Sequence, residues 1–213
     1  MALEETQARV AVEAIQSLEE ARIAYLVSGG LASTLLGRAR STDDVDLLVH
    51  ASDADTALEL LGETGFETER TNPQWIFKAS KDGITIDLMF WLKGGIVLDD
   101  EMLARAVVSD LGGQRVRVIP PEDLFVIKAI SFDEQSNRHW FDALGLLAAR
   151  PLDWAYLVTR ARHGARRVLS LLVFAQSDDL IVPEQVIQAL YRAVYESQPD
   201  VSSEPWLPTV AGR

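Results

Sequence analysis

The sequence predicts an α+β protein, in which a mixed, twisted β-sheet with flanking helices is followed by a bundle of helices. Short apolar segments alternate with helical patterns in the first half of the chain, which is typical of a sheet with helices packed on it. After Pro120-Pro121 the pattern is helical throughout. We therefore expect a core over residues 1–119, a helical region over 120–197 and a loose tail over 198–213.

The elements of the core follow from periodicity and from turn residues. The spacing of apolar residues predicts helices, two of them closed by glycines, over residues 3–21, 31–36, 53–61 and 99–107. Apolar runs predict strands over residues 24–27, 44–49, 75–79, 84–90 and 115–119. The Asp82-Gly83 pair between two of these strands is a strong signal for a hairpin.

The helical region shows the same 3.6-residue periodicity without strand signals. It predicts helices over residues 122–130, 138–149, 153–163, 165–175 and 184–195. Prolines and serines then accumulate near the end of the chain, a composition typical of a loose tail.

Composition limits the class of protein. The chain has 213 residues, of which 48% are hydrophobic and 24% charged, as in an ordinary globular protein. The absence of cysteine excludes disulfides and thiolate metal sites. The glutamate-rich N-terminal segment is unlike a secretory signal, and no apolar run approaches the ~20 residues of a membrane span. We therefore expect a cytoplasmic protein with no membrane partner.

The formal net charge of −12 lowers the expectation of a general nucleic-acid binder. Such proteins usually carry a basic face, because much of their affinity comes from phosphate contacts that release counterions. A small nucleotide that arrives with magnesium is compatible with an acidic protein.

Three acidic residues and a glycine pair are the main candidates for a functional site. Ser28-Gly29-Gly30 follows a short apolar strand, and Asp44 and Asp46 begin another strand fourteen residues later. Alternate residues of a strand share a face, so the two carboxylates point the same way. Asp87 lies inside a later apolar strand, where an unpaired carboxylate is costly. Three carboxylates converging from neighbouring strands could hold one or two Mg²⁺ ions, with Mn²⁺ as the alternative.

The glycine pair suits the phosphates of a nucleotide. A strand that turns into a helix presents free N–H groups to an anion, and glycine lets the anion approach the backbone closely. Ser28 could donate a further hydrogen bond, and Arg38 and Arg40 lie between this turn and the acidic strand. Each motif alone has a simpler structural explanation, as a turn or a solvated strand end. Their order and spacing together favour chemistry on a nucleotide.

These motifs resemble the DNA polymerase β-like nucleotidyltransferase superfamily, and most of all its small bacterial branch of abortive-infection-type (type IV toxin–antitoxin) enzymes. In that branch a glycine pair is followed by an Arg-x-Thr/Ser-x-Asp-hydrophobic-Asp signature, which Arg40, Thr42, Asp44 and Asp46 match. The resemblance implies a polymerase β-like core, dependence on NTP and magnesium, and Asp44, Asp46 and Asp87 as catalytic metal ligands. It implies nucleotide-binding roles for Ser28, Gly29, Gly30, Arg40 and Thr42.

The resemblance continues into the first two helices after Pro121. It implies that Lys128 reaches the nucleotide phosphates, whereas the simpler explanation is a solvent-facing lysine. Arg138 and Asp142 resemble the Arg-x-x-Asp-Trp-x-Asp-hydrophobic helix of the family, although their spacing here is shorter. The resemblance implies that both lie beside the site.

We expect a magnesium-dependent transfer of NMP from an NTP to an acceptor hydroxyl. The acceptor is a tRNA 3′ end, a protein or a small molecule, and a cognate toxin or antitoxin is a further expected partner. The alternative is a non-catalytic nucleotide-binding or antitoxin-like module on the same fold. We interpret the basic cluster Arg160, Arg162, His163, Arg166 and Arg167 as a solvated helix face, and Trp75, Trp91, Trp140 and Trp154 as core residues.

Overall fold

A seven-stranded mixed sheet organises the first half of the protein. The computed structural model describes residues 5–133 and 137–196. Its strands are β1 (Tyr25–Val27), β2 (Asp44–Val49), β3 (Glu67–Asn72), β4 (Ile76–Lys81), β5 (Ile84–Met89), β6 (Val107–Leu111) and β7 (Gln114–Val118). They are ordered β3-β4-β5-β2-β1-β7-β6 across the sheet. The predicted α+β class with a mixed sheet is confirmed.

Helices pack around this sheet and form the second half of the described chain. Those within the core are α1 (Glu5–Glu20), α2 (Gly29–Leu36), α3 (Ala54–Glu63) and α4 (Asp100–Ala104). Those of the helical region are α5 (Pro121–Ser131), α6 (Arg138–Ala149), α7 (Trp154–Arg160), α8 (Ala165–Ser177) and α9 (Glu184–Tyr195), with a short 3-10 helix (Ala161–His163) between α7 and α8. In the described part of the chain, every helix is too short or too polar to cross a bilayer.

The centre of the sheet is the parallel pair β2 and β5. Its register places Asp46 opposite Asp87 and Val45 opposite Ile86, so the acids share one face while the apolar residues enter the core. On the other side of β5, the antiparallel strand β4 places Lys78 opposite Asp87. The predicted hairpin between β4 and β5 is confirmed, and Asp82 and Gly83 both have positive φ angles, as a tight hairpin turn requires.

The helical region packs on the core through α2. An added Cβ at Gly37, just after α2, would lie 3.0 Å from the carbonyl oxygen of Gly145 in α6. This close backbone approach needs glycine and seats α6 directly against the end of α2. The boundary at residue 120 stays a prediction, and the predicted tail over 198–213 lies outside the described residues.

Three element predictions were wrong in part. The helix predicted over 99–107 ends at Ala104, because residues 107–111 form β6 and pair with β7. Strand β3 was not predicted, since its residues are almost all exposed and lack apolar alternation. The helix predicted over 153–163 ends at Arg160 and continues as the 3-10 helix.

The assignment of Arg160 to a solvated face was also wrong. Arg160 is only 1% exposed. Its Nε donates to Asp123 Oδ1 at 2.5 Å and its Nη1 donates to Asp99 Oδ2 at 2.6 Å, while Tyr156 Oη donates to Asp123 Oδ2 at 2.6 Å. These contacts join α7 to α5 and to the start of α4, so Arg160 is a structural link between distant segments.

We expect Arg160→Met to lower the free energy of unfolding by about 3–5 kcal/mol, because it leaves the carboxylate of Asp123 buried without its cation. Urea denaturation followed by circular dichroism measures this loss. The matched control is Arg162→Met, which alters an exposed residue two positions away and should change stability by no more than about 0.5 kcal/mol. Equal losses in the two variants would contradict the structural role of Arg160.

Candidate active site

Three carboxylates meet on one face of the sheet. Asp44 and Asp46 come from β2 and Asp87 from β5, and one oxygen of each lies within 4.8 Å of the others. Asp87 is buried, whereas Asp44 and Asp46 are partly exposed to a cavity. A cluster of hard oxygen ligands at this spacing could hold a divalent cation. The structure therefore brings together the three acids that the sequence singled out.

The negative charge of Asp46 is poorly compensated by its surroundings. The pKa of Asp46 is raised from its ordinary value of 3.8 to about 6, mainly by burial and in addition by the carboxylates of Asp44 and Asp87. The N–H of Gly30 donates to Asp46 Oδ2 at 3.2 Å and partly offsets this effect. A divalent cation would favour the ionised form of Asp46, so the donor set fits a metal both chemically and electrostatically.

The start of α2 is pressed against Asp46. Gly29 has a φ of +55°, and a Cβ added to it would overlap the carboxylate of Asp46. The N–H of Ser28 donates to the carbonyl oxygen of Asp46 at 2.8 Å. Only glycine tolerates both this backbone conformation and this approach. The first turn of α2 and the acid cluster are thus parts of one site.

Ser28 lines the same cavity and carries a buried polar atom. The residue is 1% exposed, and its Oγ has no hydrogen-bond partner in the described part of the protein. A buried hydroxyl without a partner is uncommon, because it loses hydrogen bonds to water. Together with the backbone of Gly29 and Gly30, which also lines the cavity, it forms an anion cradle at a helix N-terminus.

Arg40 and Thr42 hold neighbouring groups in place. Thr42 Oγ1 donates to Asp44 Oδ1 at 2.8 Å, so the threonine orients a carboxylate of the cluster. Arg40 Nε donates to both oxygens of Asp142, at 3.1 and 3.2 Å, and Arg40 also lines the cavity. The two side chains lie over Gly30, where an added Cβ would overlap Thr42.

Asp142 of α6 anchors three cations at this end of the cavity. It is fully buried, and besides Arg40 it contacts Arg38 Nη1 at 3.1 Å and Lys128 Nζ at 3.2 Å. Lys128 is 2% exposed and lines the cavity, so its interpretation as a solvent-facing lysine was wrong. Burial lowers the pKa of Lys128, while Asp142 opposes that effect. The helical region therefore supplies a buried cation to the site.

Two further residues of α6 line the cavity near Lys128. Arg138 is exposed at its rim. His139 Nδ1 lies 3.5 Å from Lys128 Nζ, and burial together with this neighbouring charge lowers the pKa of His139 to about 4. His139 is thus a neutral wall of the cavity at physiological pH.

Lys78 was missed by the sequence analysis. Its Nζ donates to Asp87 Oδ1 at 2.6 Å from the neighbouring strand β4. The signal was present in the hairpin, because a two-residue turn at Asp82-Gly83 pairs residue 81 with 84 and therefore 78 with 87. Lys78 compensates the one acid of the cluster that is buried.

The cavity has a volume of about 770 Å³, large enough for a nucleotide and part of a second molecule. Its wall includes Trp75 and Trp91, which are 41% and 54% exposed. Their assignment to the core was therefore wrong, whereas Trp140 and Trp154 do pack against the core. Aromatic residues at the ends of strands can face outward, which spacing alone did not reveal.

Comparisons with known proteins point to one type of enzyme. The family model described as "Nucleotidyl transferase of unknown function (DUF2204)" matches residues 7–157. No curated protein sequence matches the chain significantly.

Among solved structures, the chain resembles an antigenic nucleotidyltransferase-like protein from Paracoccidioides brasiliensis, with a TM-score of 0.54, 18% identity, and coverage of 92% of this chain and 100% of the other. It also resembles the antibiotic-resistance factor ANT(2″)-Ia, with a TM-score of 0.53, 16% identity, and coverage of 83% and 95%. The lincosamide antibiotic adenylyltransferase LnuA matches with a TM-score of 0.50, 14% identity, and coverage of 70% and 100%. At these identities the likeness concerns the fold.

We expect Gly29→Ala to lower the free energy of unfolding by about 2–5 kcal/mol, since it combines a strained backbone with an overlap onto Asp46. Gly113→Ala is the control, because Gly113 also has a positive φ but an added Cβ there meets nothing within 4 Å. The control should lose only about 1–2 kcal/mol of backbone strain. Thermal and urea unfolding measure both, and equal losses would refute the tight contact between Gly29 and Asp46.

We expect Asp46→Asn to stabilise the metal-free protein at neutral pH. Because folding raises the pKa of Asp46 to about 6, the folded protein binds a proton more tightly than the unfolded chain, and wild-type stability falls as pH rises from about 4 to 6. The variant lacks this loss, so its advantage should grow through that window to roughly 2–3 kcal/mol. Urea titrations in chelator measure it.

The exposed neighbour Asp43 provides the control for this experiment. Asp43→Asn should stay within about 0.5 kcal/mol of wild type at neutral pH. Parallel pH profiles of wild type and Asp46→Asn would show that the carboxylate of Asp46 is not destabilised by its neighbours.

Proposed function

Because this chain belongs to the DUF2204 family of nucleotidyl transferases and is therefore a nucleotidyltransferase, we propose that it transfers NMP from a magnesium-bound NTP to an acceptor hydroxyl. The observation that supports this most is the meeting of Asp44, Asp46 and Asp87 beside a glycine cradle at the start of α2. An acid cluster that can hold a cation, in direct contact with a cradle for an anion, suits the metal complex of a triphosphate.

The triphosphate binds at the α2 end of the cavity. In the first turn of α2 the N–H of Gly30 already donates to Asp46, so the remaining N–H groups and the hydroxyl of Ser28 donate to the triphosphate oxygens. Lys128, held by Asp142, adds a positive charge that is strong because the side chain is buried. These groups orient the leaving pyrophosphate and stabilise the charge that it gains.

Asp44, Asp46 and Asp87 would hold Mg²⁺, or Mn²⁺ in its place, which neutralises the charge that develops on the phosphate oxygens. Thr42 fixes the orientation of Asp44, and the N–H of Gly30 fixes that of Asp46. Lys78 holds Asp87 towards the other two acids. Asp87, which shares this face of the sheet with the other two acids, would accept the proton of the acceptor hydroxyl.

All three acids are present and converge, which favours an enzyme over a nucleotide-binding or antitoxin-like module that has lost its chemistry. The acceptor hydroxyl belongs to an RNA end, a protein or a small molecule. A cognate toxin or antitoxin partner and a cytoplasmic location stay predictions.

We expect Asp46→Asn and Asp87→Asn each to reduce NMP transfer at least 100-fold, because an amide is a poor ligand for a hard cation. Purified protein is incubated with each α-labelled NTP, magnesium and a total cell extract, and labelled products are resolved. Asp43→Asn, an exposed acid one residue before the cluster, is the matched control and should keep full activity.

Thermal shift with NTP, with and without magnesium, separates binding from chemistry. The wild type should be stabilised by NTP only when the metal is present. A wild type that is stabilised in this way but labels no acceptor would contradict the proposal and support the binding module instead.

A further inference from the structure

The two ends of the cavity have separate tasks if the proposed function holds. In phosphoryl-type transfer the attacking and leaving oxygens lie roughly in line through the phosphorus. The pyrophosphate leaves towards Gly29, Gly30 and Lys128, so the acceptor hydroxyl must arrive from the opposite side of the acid cluster. Apart from the helices, the wall of the cavity comes from the end of β5 and the segment before β4, through Met89, Trp91 and Trp75.

Trp91 lies at this opposite end. Strand β5 ends at Met89, and the chain bends at residues 90 and 91. The N–H of Phe90 still donates to the carbonyl oxygen of Trp75, which holds the segments that carry the two tryptophans together. Trp91 follows Asp87 by four residues, which span at most about 14 Å, a distance that a sugar and its attached ring can cover.

We propose that Trp75, Trp91 and Lys93 form an acceptor subsite for a nucleotide-like acceptor, in which a planar ring stacks on indole and an anionic group meets the basic rim. This inference rests on the proposed function and names its substrate class. An acceptor with such a ring and an anionic group could be either a free mononucleotide or the 3′ end of a polynucleotide.

The first support for this subsite is that both tryptophans are exposed in the cavity. Trp91 and Trp75 are 54% and 41% exposed and line the cavity, next to Met89 and Leu92. Large exposed apolar surfaces in a cavity mark a ligand site. Indole stacks on any nucleobase, because every base presents a π-face.

The charge of this end excludes polycationic acceptors. Among the described residues that line the cavity, the carboxylates are those of the acid cluster, whereas the acceptor end has exposed Lys93. Once a metal and an NTP are bound, those carboxylates hold the metal and are not available to an acceptor. A polycationic sugar would find no counter-charge there.

The helical region extends the basic rim. Gly94, which follows Lys93, packs against the 3-10 helix, since an added Cβ would lie 2.7 Å from the carbonyl oxygen of His163. His163 Nδ1 also lies 3.0 Å from the carbonyl oxygen of Gly94. Exposed Arg162 lies in this 3-10 helix, next to the residue that contacts Gly94. An anionic group that leaves the cavity over Gly94 would pass the segment that carries Arg162.

The test uses indole fluorescence of the full chain with magnesium and a non-hydrolysable NTP analogue. The probes are a mononucleotide, single-stranded RNA and DNA octamers, and tobramycin as a polycation. We expect quenching by the nucleotide probes and none by tobramycin. Trp91→Leu and Lys93→Gln should each raise the dissociation constant of the nucleotide probes about tenfold and change NTP affinity in the absence of acceptor less than twofold.

Tyr191→Leu is the control, because it removes an exposed aromatic residue from α9. It should leave all constants unchanged. If an octamer binds more tightly than the mononucleotide, the site belongs to a polynucleotide end. The slope of log affinity against log salt concentration should then be about −2, as three phosphate contacts give. Equal binding of the mononucleotide assigns the site to a free nucleotide, and both results support the proposal.

Two results would overturn the acceptor subsite. In one, Trp91→Leu weakens NTP binding as much as acceptor binding, which would place the donor base on the indole. In the other, tobramycin binds and the nucleotides do not. Failure of the proposed function looks different, since the wild type would then show neither magnesium-dependent NTP binding nor labelled transfer.

Discussion

Repulsion among Asp44, Asp46 and Asp87 is the constraint on which the arrangement of the cavity depends. Three carboxylates within 4.8 Å of one another are unfavourable unless other groups offset their charge. The parallel register of β2 and β5 fixes their backbone positions, so they cannot relax apart. Each acid instead has its own donor, from Thr42, from the backbone of Gly30 and from Lys78. Burial first, and then the carboxylates of Asp44 and Asp87, raise the pKa of Asp46, and a bound cation would offset both effects by favouring the ionised form.

The negative charge of the acid cluster is offset by cations on two sides of the site. On one side, Asp142 holds Lys128 and Arg40 as buried or half-buried cations and connects α6 to the core. On the other, Lys78 stands on the same sheet as the acids. The first group depends on packing between the helical region and α2, whereas the second depends only on a hairpin. A change in the seating of α5 and α6 would therefore alter the cations around Asp142 and leave the ion pair between Lys78 and Asp87 in place.

The sequence predicted the acids and the glycine cradle because their signals are local. A strand alternates with period two, and a glycine pair after a strand marks a turn, so Asp44, Asp46 and Gly29 could be placed without tertiary information. Lys78 was equally local through the hairpin register. Arg160 could not be placed, because its partners Asp99 and Asp123 are distant in sequence and a basic cluster on a helix normally faces water. Trp91 was wrongly assigned to the core for a related reason, since residue spacing does not tell which face of a strand end is covered by other elements.

An acidic protein that handles anionic substrates must rely on local rather than net charge. The net charge of −12 repels a polyanion at a distance, yet Arg40, Lys93, Lys128 and Arg138 all line one cavity. Low-dielectric walls strengthen the field of such cations over a short range, and salt screens the repulsion from the rest of the surface. A polynucleotide would then be attracted at its end and repelled along its length. For the polynucleotide arm of the proposal, this distribution of charge favours entry of the terminal nucleotide alone.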